Sequence, residues 1–137
     1  MEIRTAVTPE EIARAVAIDE AQIGSGRRAD YIRSVAERGS LTVAVLRHEV
    51  QGFCCLDHGW FFEKPFISLL VVSPPARRQG LGSGLLLHSS STLSEVWTST
   101  NRSNAAMRRL LEKAGWRHCG DISGLDDDDP EQFFRTA

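Results

Sequence analysis

An apolar run, Phe66-Ile67-Ser68-Leu69-Leu70-Val71-Val72, is stopped by Ser73-Pro74-Pro75 and followed by Arg77-Arg78-Gln79-Gly80-Leu81-Gly82-Ser83-Gly84. Leu85-Leu86-Leu87 comes next. No other stretch restricts the fold so tightly. The run reads as a strand, and the prolines end it because they cannot continue a ladder. The glycines read as a turn and the leucines as a helix opening. A strand feeding a glycine-rich turn at a helix start is a ready anion site. The first helical N–H groups lack intrahelical acceptors, and the helix dipole puts partial positive charge there. Arg77 and Arg78 add donors suited to phosphate. The pattern predicts a grip on a phosphorylated ligand, with at least one of the two arginines touching it.

The flanking sequence supplies the rest of a single domain over residues 1–137. Ile3 to Val7 reads as a short strand. Thr8-Pro9-Glu10-Glu11 is a helix start, with Thr8 as cap and Glu11 closing a capping box. Gly24-Ser25-Gly26 breaks that helix, and a second is predicted from about Arg28 to Arg38. Leu41–Leu46 is a β-branched strand, Arg47–Val50 its connection and Gly52–Leu56 the return. Trp60-Phe61-Phe62 forms a bend before the strand ending at Val72. A helix toward Leu93, a strand Val96–Thr100 and a helix from Ser103 or Asn104 to Gly115 follow. Trp116–Ile122 and Gln132–Arg135 close the chain as strands around an acidic turn, Asp126–Asp129. This order predicts an α/β (α+β) domain with a mixed, mostly antiparallel sheet.

Composition excludes several functions. A net charge of −2 gives no global attraction to nucleic acid or anionic lipid. No apolar run approaches the about 18 residues of a membrane span, and Met1-Glu2-Ile3-Arg4 does not open a signal peptide. Cys54, Cys55 and Cys119 are too few and too poorly spaced for a disulfide framework or a metal site, so no metal is expected. They read as small buried hydrophobes in a reducing cytoplasm.

Three phosphate-binding designs compete for the loop. A Walker-type loop needs a lysine that is missing around Gly80. A dinucleotide fingerprint needs a third glycine where Leu85 stands. The third design fits. Arg77-x-x-Gly80-x-Gly82, after Leu70-Val71-Val72 and before a leucine-rich helix, resembles the acetyl-CoA loop of GNAT superfamily N-acetyltransferases. Asn104 and the helix ending Leu111-Glu112-Lys113-Ala114-Gly115-Trp116 are similar to the family's "Asn … Tyr-Glu-Lys-x-Gly-Phe" segment. Ile3-Arg4 with its capped helix, Gln51-Gly52-Phe53, and the tail from Gly120 to Glu131 also resemble the family.

The resemblance implies acetyl-CoA as co-substrate, an amine acceptor and direct transfer without a covalent enzyme intermediate. The backbone of Gln79, Gly80, Leu81, Gly82 and Ser83 would cradle the pyrophosphate beside Arg77 and Arg78. Gly80 and Gly82 would permit close approach and unusual φ. Leu70, Val71 and Val72 would bind the pantetheine arm through their backbone, and an N–H of Leu70 or Val71 would polarise the thioester carbonyl. Asn104 would either contact the cofactor or cap its helix. Met107 and Arg108 are expected against pantetheine or adenine. The family's frequent tyrosine, the acid for the departing thiolate, falls on Leu111, which has no proton to give. Tyr31 is the substitute candidate for the acid. Glu63 is the candidate base, with Asp57 and His58 its neighbours. Trp60-Phe61-Phe62 reads as core or as an apolar acceptor wall, and Asp126–Asp129 as a solvated turn or an attractor of a cationic amine. The loss of the tyrosine leaves a second reading, an acyl-CoA-binding sensor without turnover. Monomer and homodimer both stay open.

Overall fold

The helix start at Thr8 forms as its residue types dictate. In the computed structural model, which describes residues 1–137, the Thr8 hydroxyl accepts from the Glu11 amide at 3.2 Å. The Glu11 carboxylate accepts from the amides of Val7 and Thr8 at 2.8 and 3.0 Å. Strand β1 (Glu2–Thr5) precedes this cap, and helix α1 (Pro9–Ile23) follows it. Gly24 ends α1 at φ 76°, a left-handed conformation that costs glycine nothing. Helix α2 (Ala29–Glu37) is locked to α1 by Asp19, which is 1% exposed and pairs with the Arg28 guanidinium.

Strands β2 (Leu41–Leu46) and β3 (Glu49–Asp57) are joined by Arg47 and His48 alone. Both residues have positive φ, 51° and 68°. Such a turn matches the right-handed twist of the strands it joins. The connection is therefore shorter than the expected Arg47–Val50, and β3 is longer. No glycine marks this turn, which is why Glu49 and Val50 read as part of the connection. Strand β4 (Phe66–Val72), a 3-10 turn at Pro74–Ala76, helix α3 (Leu81–Ser90), strand β5 (Trp97–Asn101), helix α4 (Ala105–Lys113), and strands β6 (Arg117–Ile122) and β7 (Glu131–Arg135) complete the chain.

The sheet has seven strands in the order β1-β2-β3-β4-β5-β7-β6. Only β4 and β5 run parallel. A parallel pair needs a crossover, and α3 supplies it. One face packs α1 and α2 through Val16, Ile18, Ile32 and Val35 onto Val43, Phe53 and Cys55. The other packs α3 and α4 through Leu81, Leu85, Leu86 and Leu111 onto Cys54, Ile67 and Phe134. Cys54 and Cys55 thus enter opposite cores. Burial pushes the Cys54 thiol up to about 12 and raises that of Cys55 as well. Cys119 departs from the expectation: it lies exposed on the edge strand β6. No helix is long and apolar enough to cross a membrane.

Candidate functional site

The central parallel pair separates almost as soon as it forms. Phe66 pairs with Trp97 and Ile67 with Thr98, and no register continues beyond them. The Thr98 hydroxyl donates to the Ile67 carbonyl at 2.8 Å and closes the vertex. On the other side of β4, Leu56 opposes Ile67 and Cys55 opposes Leu69, so Ser68 is an unpaired extra residue. This is a β-bulge, and it breaks the alternation of side chains. Ser68 and Leu69 both face the α1–α2 side, while Ile67 and Leu70 face the α3–α4 side.

Beyond the bulge the ladder decides which backbone groups are free. The Ser73 amide donates to the Gln51 carbonyl at 2.8 Å. Hydrogen-bonded pairs recur at every second residue of an antiparallel ladder, so Val71 pairs with Phe53. Leu70 and Val72 therefore turn their backbone groups to the gap side, where the Val72 carbonyl is already taken by Arg77 Nε. This corrects the expectation for Val71, whose backbone belongs to β3.

The glycine-rich loop lies at the wide end of the gap. Arg78 has φ 63° and Gly80 has φ 87°. The amides from Arg78 through Ser83 donate to no protein acceptor, and the first satisfied amide is that of Gly84, which reaches the Gly80 carbonyl at 3.0 Å. Left-handed residues within a run of free amides, ending on a helix N-terminus, form an anion cradle. Arg77 is committed elsewhere. Its Nε donates to the Val72 carbonyl at 3.1 Å and its Nη2 to the Gln22 side chain at 2.9 Å. It joins the strand end to α1, which leaves the exposed Arg78 as the uncommitted cation of the loop. Leu81 contributes only its amide, because its side chain is core. The reason for Gly82 also changes. A Cβ there would lie 3.1 Å from Leu110 Cδ2 of α4, so its small size serves helix approach.

Helix α4 borders the same region. The Asn104 side chain accepts from the Met107 amide at 3.1 Å and caps the helix, while its NH₂ group has no protein acceptor. Met107 packs on the core at this end. Arg108 has a buried Nε without any partner. Leu111 is fully buried. The acidic run holds the preceding loop in place: Asp129 accepts from the amide and hydroxyl of Ser103 at 3.0 and 2.7 Å, and Asp126 accepts from Asn101 at 2.8 Å.

On the α1–α2 side, the hydroxyls of Tyr31 and Ser68 lie 2.5 Å apart. Burial raises the Tyr31 phenol above its ordinary range, against the opposing pull of the Ser68 hydroxyl. Glu63 is exposed at φ 60° and makes no hydrogen bond or ion pair, so nothing holds it toward the gap as a base. Asp57 is 7% exposed and folds the β3–β4 loop, accepting from the amides of Gly59 and Trp60 at 2.9 and 3.2 Å. The aromatic triplet divides. Phe61 packs on Phe66, Trp97 and Phe133, whereas Trp60 and Phe62 are exposed.

A family model described as the acetyltransferase (GNAT) family matches residues 9–116. The chain belongs to this family. A GNAT acetyltransferase from Bacillus cereus ATCC 10987 is 32% identical, with a TM-score of 0.90 over 98% of this chain and 95% of that one. The fold is shared more distantly with an aminoglycoside 6'-N-acetyltransferase complexed with coenzyme A (13% identity, TM-score 0.83, 99% and 96% covered). It is shared also with the ribosomal-protein-S18-alanine N-acetyltransferase of Escherichia coli (18%, 0.81, 98% and 92%). No curated protein matches the chain. As a GNAT protein the chain is an acyltransferase, built on the split between β4 and β5. Ser68 escaped the motif reading of this GNAT domain. Its one local mark is a hydroxyl inside an otherwise apolar strand, and the direction it faces comes from the bulge.

Proposed function

We propose that this GNAT protein transfers the acetyl group of acetyl-CoA to a primary amine of a small molecule or a peptide, by direct attack within a ternary complex. The observation that carries the reading is the set of unsatisfied backbone groups in two places, Leu70 and the Val72 amide on the gap side and the amides of Arg78–Ser83 in the loop. Buried or inward-facing polar groups are normally paired, so an unpaired series marks a ligand's place. The amides of Arg78–Ser83 fit a pyrophosphate, with Arg78 beside them. Leu70 offers a donor and an acceptor, and Val72 its amide, to the amides of a pantetheine arm, the Val72 carbonyl being held by Arg77. The orphaned Nε of Arg108 fits a further acceptor on the same ligand. The Asn104 NH₂ and the Met107 side chain complete this border. When bound, acetyl-CoA supplies the activated acyl thioester. The free amide of Leu70 is the donor this chain offers to a developing oxyanion. A thiol has a pKa of about 8.5, so its thiolate leaves without an acid on α4.

Calorimetric titration with acetyl-CoA, coupled to thiol release with primary amines, tests the reading. Saturable binding with amine-dependent CoA release is expected. No saturable heat at about millimolar ligand overturns it. The buried Leu111 favours one second reading, acyl-CoA binding without turnover, and CoA release with any amine excludes that.

A further inference from the structure

The bulge of β4 places a hydroxyl where the gap closes. The wide end of the gap faces the cradle loop, and the narrow end is sealed at Ile67 and Thr98. A ligand arm entering from the loop directs its reactive end toward that vertex. The α3–α4 side of the vertex is filled by core, with Ile67, Leu70 and Leu111 in one cluster. A nucleophile is therefore left the α1–α2 side. There the bulge has turned Ser68 outward, and its Oγ meets Tyr31 Oη at 2.5 Å.

We propose that Ser68 receives the acceptor amine and that Tyr31, acting through Ser68, positions that hydroxyl and carries the released proton to solvent. This rests on the acetyl-transfer reading above. The remaining contact of Ser68, to the Cys55 carbonyl, is long at 3.4 Å. Either hydroxyl can donate in the short contact; in the direction assigned here Ser68 donates to Tyr31 Oη, and a lone pair stays free to accept an amine N–H. As the amine nitrogen bonds to the acetyl carbon, the C–S bond breaks and its electron pair leaves on sulfur. The amine N–H proton passes to Ser68 Oγ, the Ser68 proton to Tyr31 Oη, and the Tyr31 proton to water. No net charge remains on either hydroxyl. A phenol held neutral by burial suits a relay better than a base, and Tyr31 is only partly buried. Both groups sit on rigid elements, a central strand and a packed helix, as a positioning device requires.

The test measures amine-dependent CoA release with phenethylamine, spermidine and an alanine-leading hexapeptide, together with acetyl-CoA affinity by calorimetry. For the amine that turns over, Ser68→Ala is expected to lower kcat/KM at least tenfold while acetyl-CoA affinity stays within twofold. Ser68→Thr keeps the hydroxyl and should restore most of the rate. Tyr31→Phe should lose less than Ser68→Ala, and the double variant should be no worse than Ser68→Ala alone. Additive losses, or kcat/KM within twofold of wild type in either single variant, overturn the proposal. A second measurement does not depend on turnover. Tyr31 is the sole tyrosine, so absorbance near tyrosinate wavelengths reports it alone. Ser68→Ala should move its titration midpoint upward. An unmoved midpoint shows that the pair does not exist in solution and overturns the proposal by itself. Wild-type protein that binds acetyl-CoA but acetylates no amine overturns the transfer reading and this role together, whereas active wild type with indifferent variants overturns only the role.

Discussion

Gly80 and Gly82 stand two residues apart in one loop, yet the structure predicts opposite consequences for replacing them. Gly80 has φ 87°, and a Cβ there would meet nothing within 4 Å. Gly80→Ala therefore carries only the backbone cost of a left-handed L-residue, about 1–2 kcal/mol. The loop can resolve this in two ways. It keeps its shape and the protein loses that stability, equivalent to a fall in Tm of about 3–8 °C for a domain of this size. Alternatively it relaxes, the amides diverge, and acetyl-CoA affinity falls by about 5- to 30-fold for the same energy. Gly80→Asn should show a smaller total, since asparagine tolerates this conformation better. Gly82 instead faces Leu110 Cδ2 at 3.1 Å. Gly82→Ala should displace a flexible side-chain end, cost under about 1.5 kcal/mol of stability, and leave affinity within twofold. Urea unfolding and calorimetry on the three variants check the pattern. If Gly80→Ala changes neither quantity, or if Gly82→Ala loses affinity at unchanged stability, the assignment of the two glycines is refuted.

Removing the buried carboxylate of the Asp19–Arg28 pair should be costly. Asp19→Ala is expected to cost about 1.5–3 kcal/mol, because it removes charge-assisted hydrogen bonds from a guanidinium that keeps some access to water, and urea unfolding measures it. Burial raises the Glu11 carboxyl, but the amides of Val7 and Thr8 and the Arg4 guanidinium outweigh this and leave it lowered. A depressed folded pKa contributes stability that is present above the unfolded value, about 4.3, and is lost as pH falls through the folded one. Thermal unfolding of wild type should therefore weaken below about pH 4, and Glu11→Gln should flatten that part of the curve. Native protein should react with a thiol reagent at Cys119 alone, with Cys54 and Cys55 labelled only after unfolding. Rapid native labelling of either buried cysteine would contradict its place in the core.

Elements carried by local chemistry were readable along the chain. The Thr8–Glu11 capping box, the Gly24 stop, the apolar β4 run and the Asn104 helix start each depend on residues within a turn of one another. The Arg47-His48 turn falls inside the expected connection, but its two-residue length is not legible because its left-handed residues are not glycines. Tertiary company changed the meaning of other residues. Arg77 reads as a phosphate ligand until α1 brings Gln22 to it. The acidic run reads as solvated until Ser103 and Asn101 meet it.

The sequence by itself determined which donor chemistry this domain is built around, because a strand, a glycine-rich turn and a helix start are contiguous and their free amides follow from backbone geometry. The tertiary structure alone decided where that chemistry opens to an acceptor. The split after Ile67 depends on how two strands distant in sequence pair. The turning of Ser68 toward Tyr31 depends on one residue of register against β3. A register shift leaves every residue type unchanged and moves its side chain to the other face of the sheet, so no local pattern could have announced it.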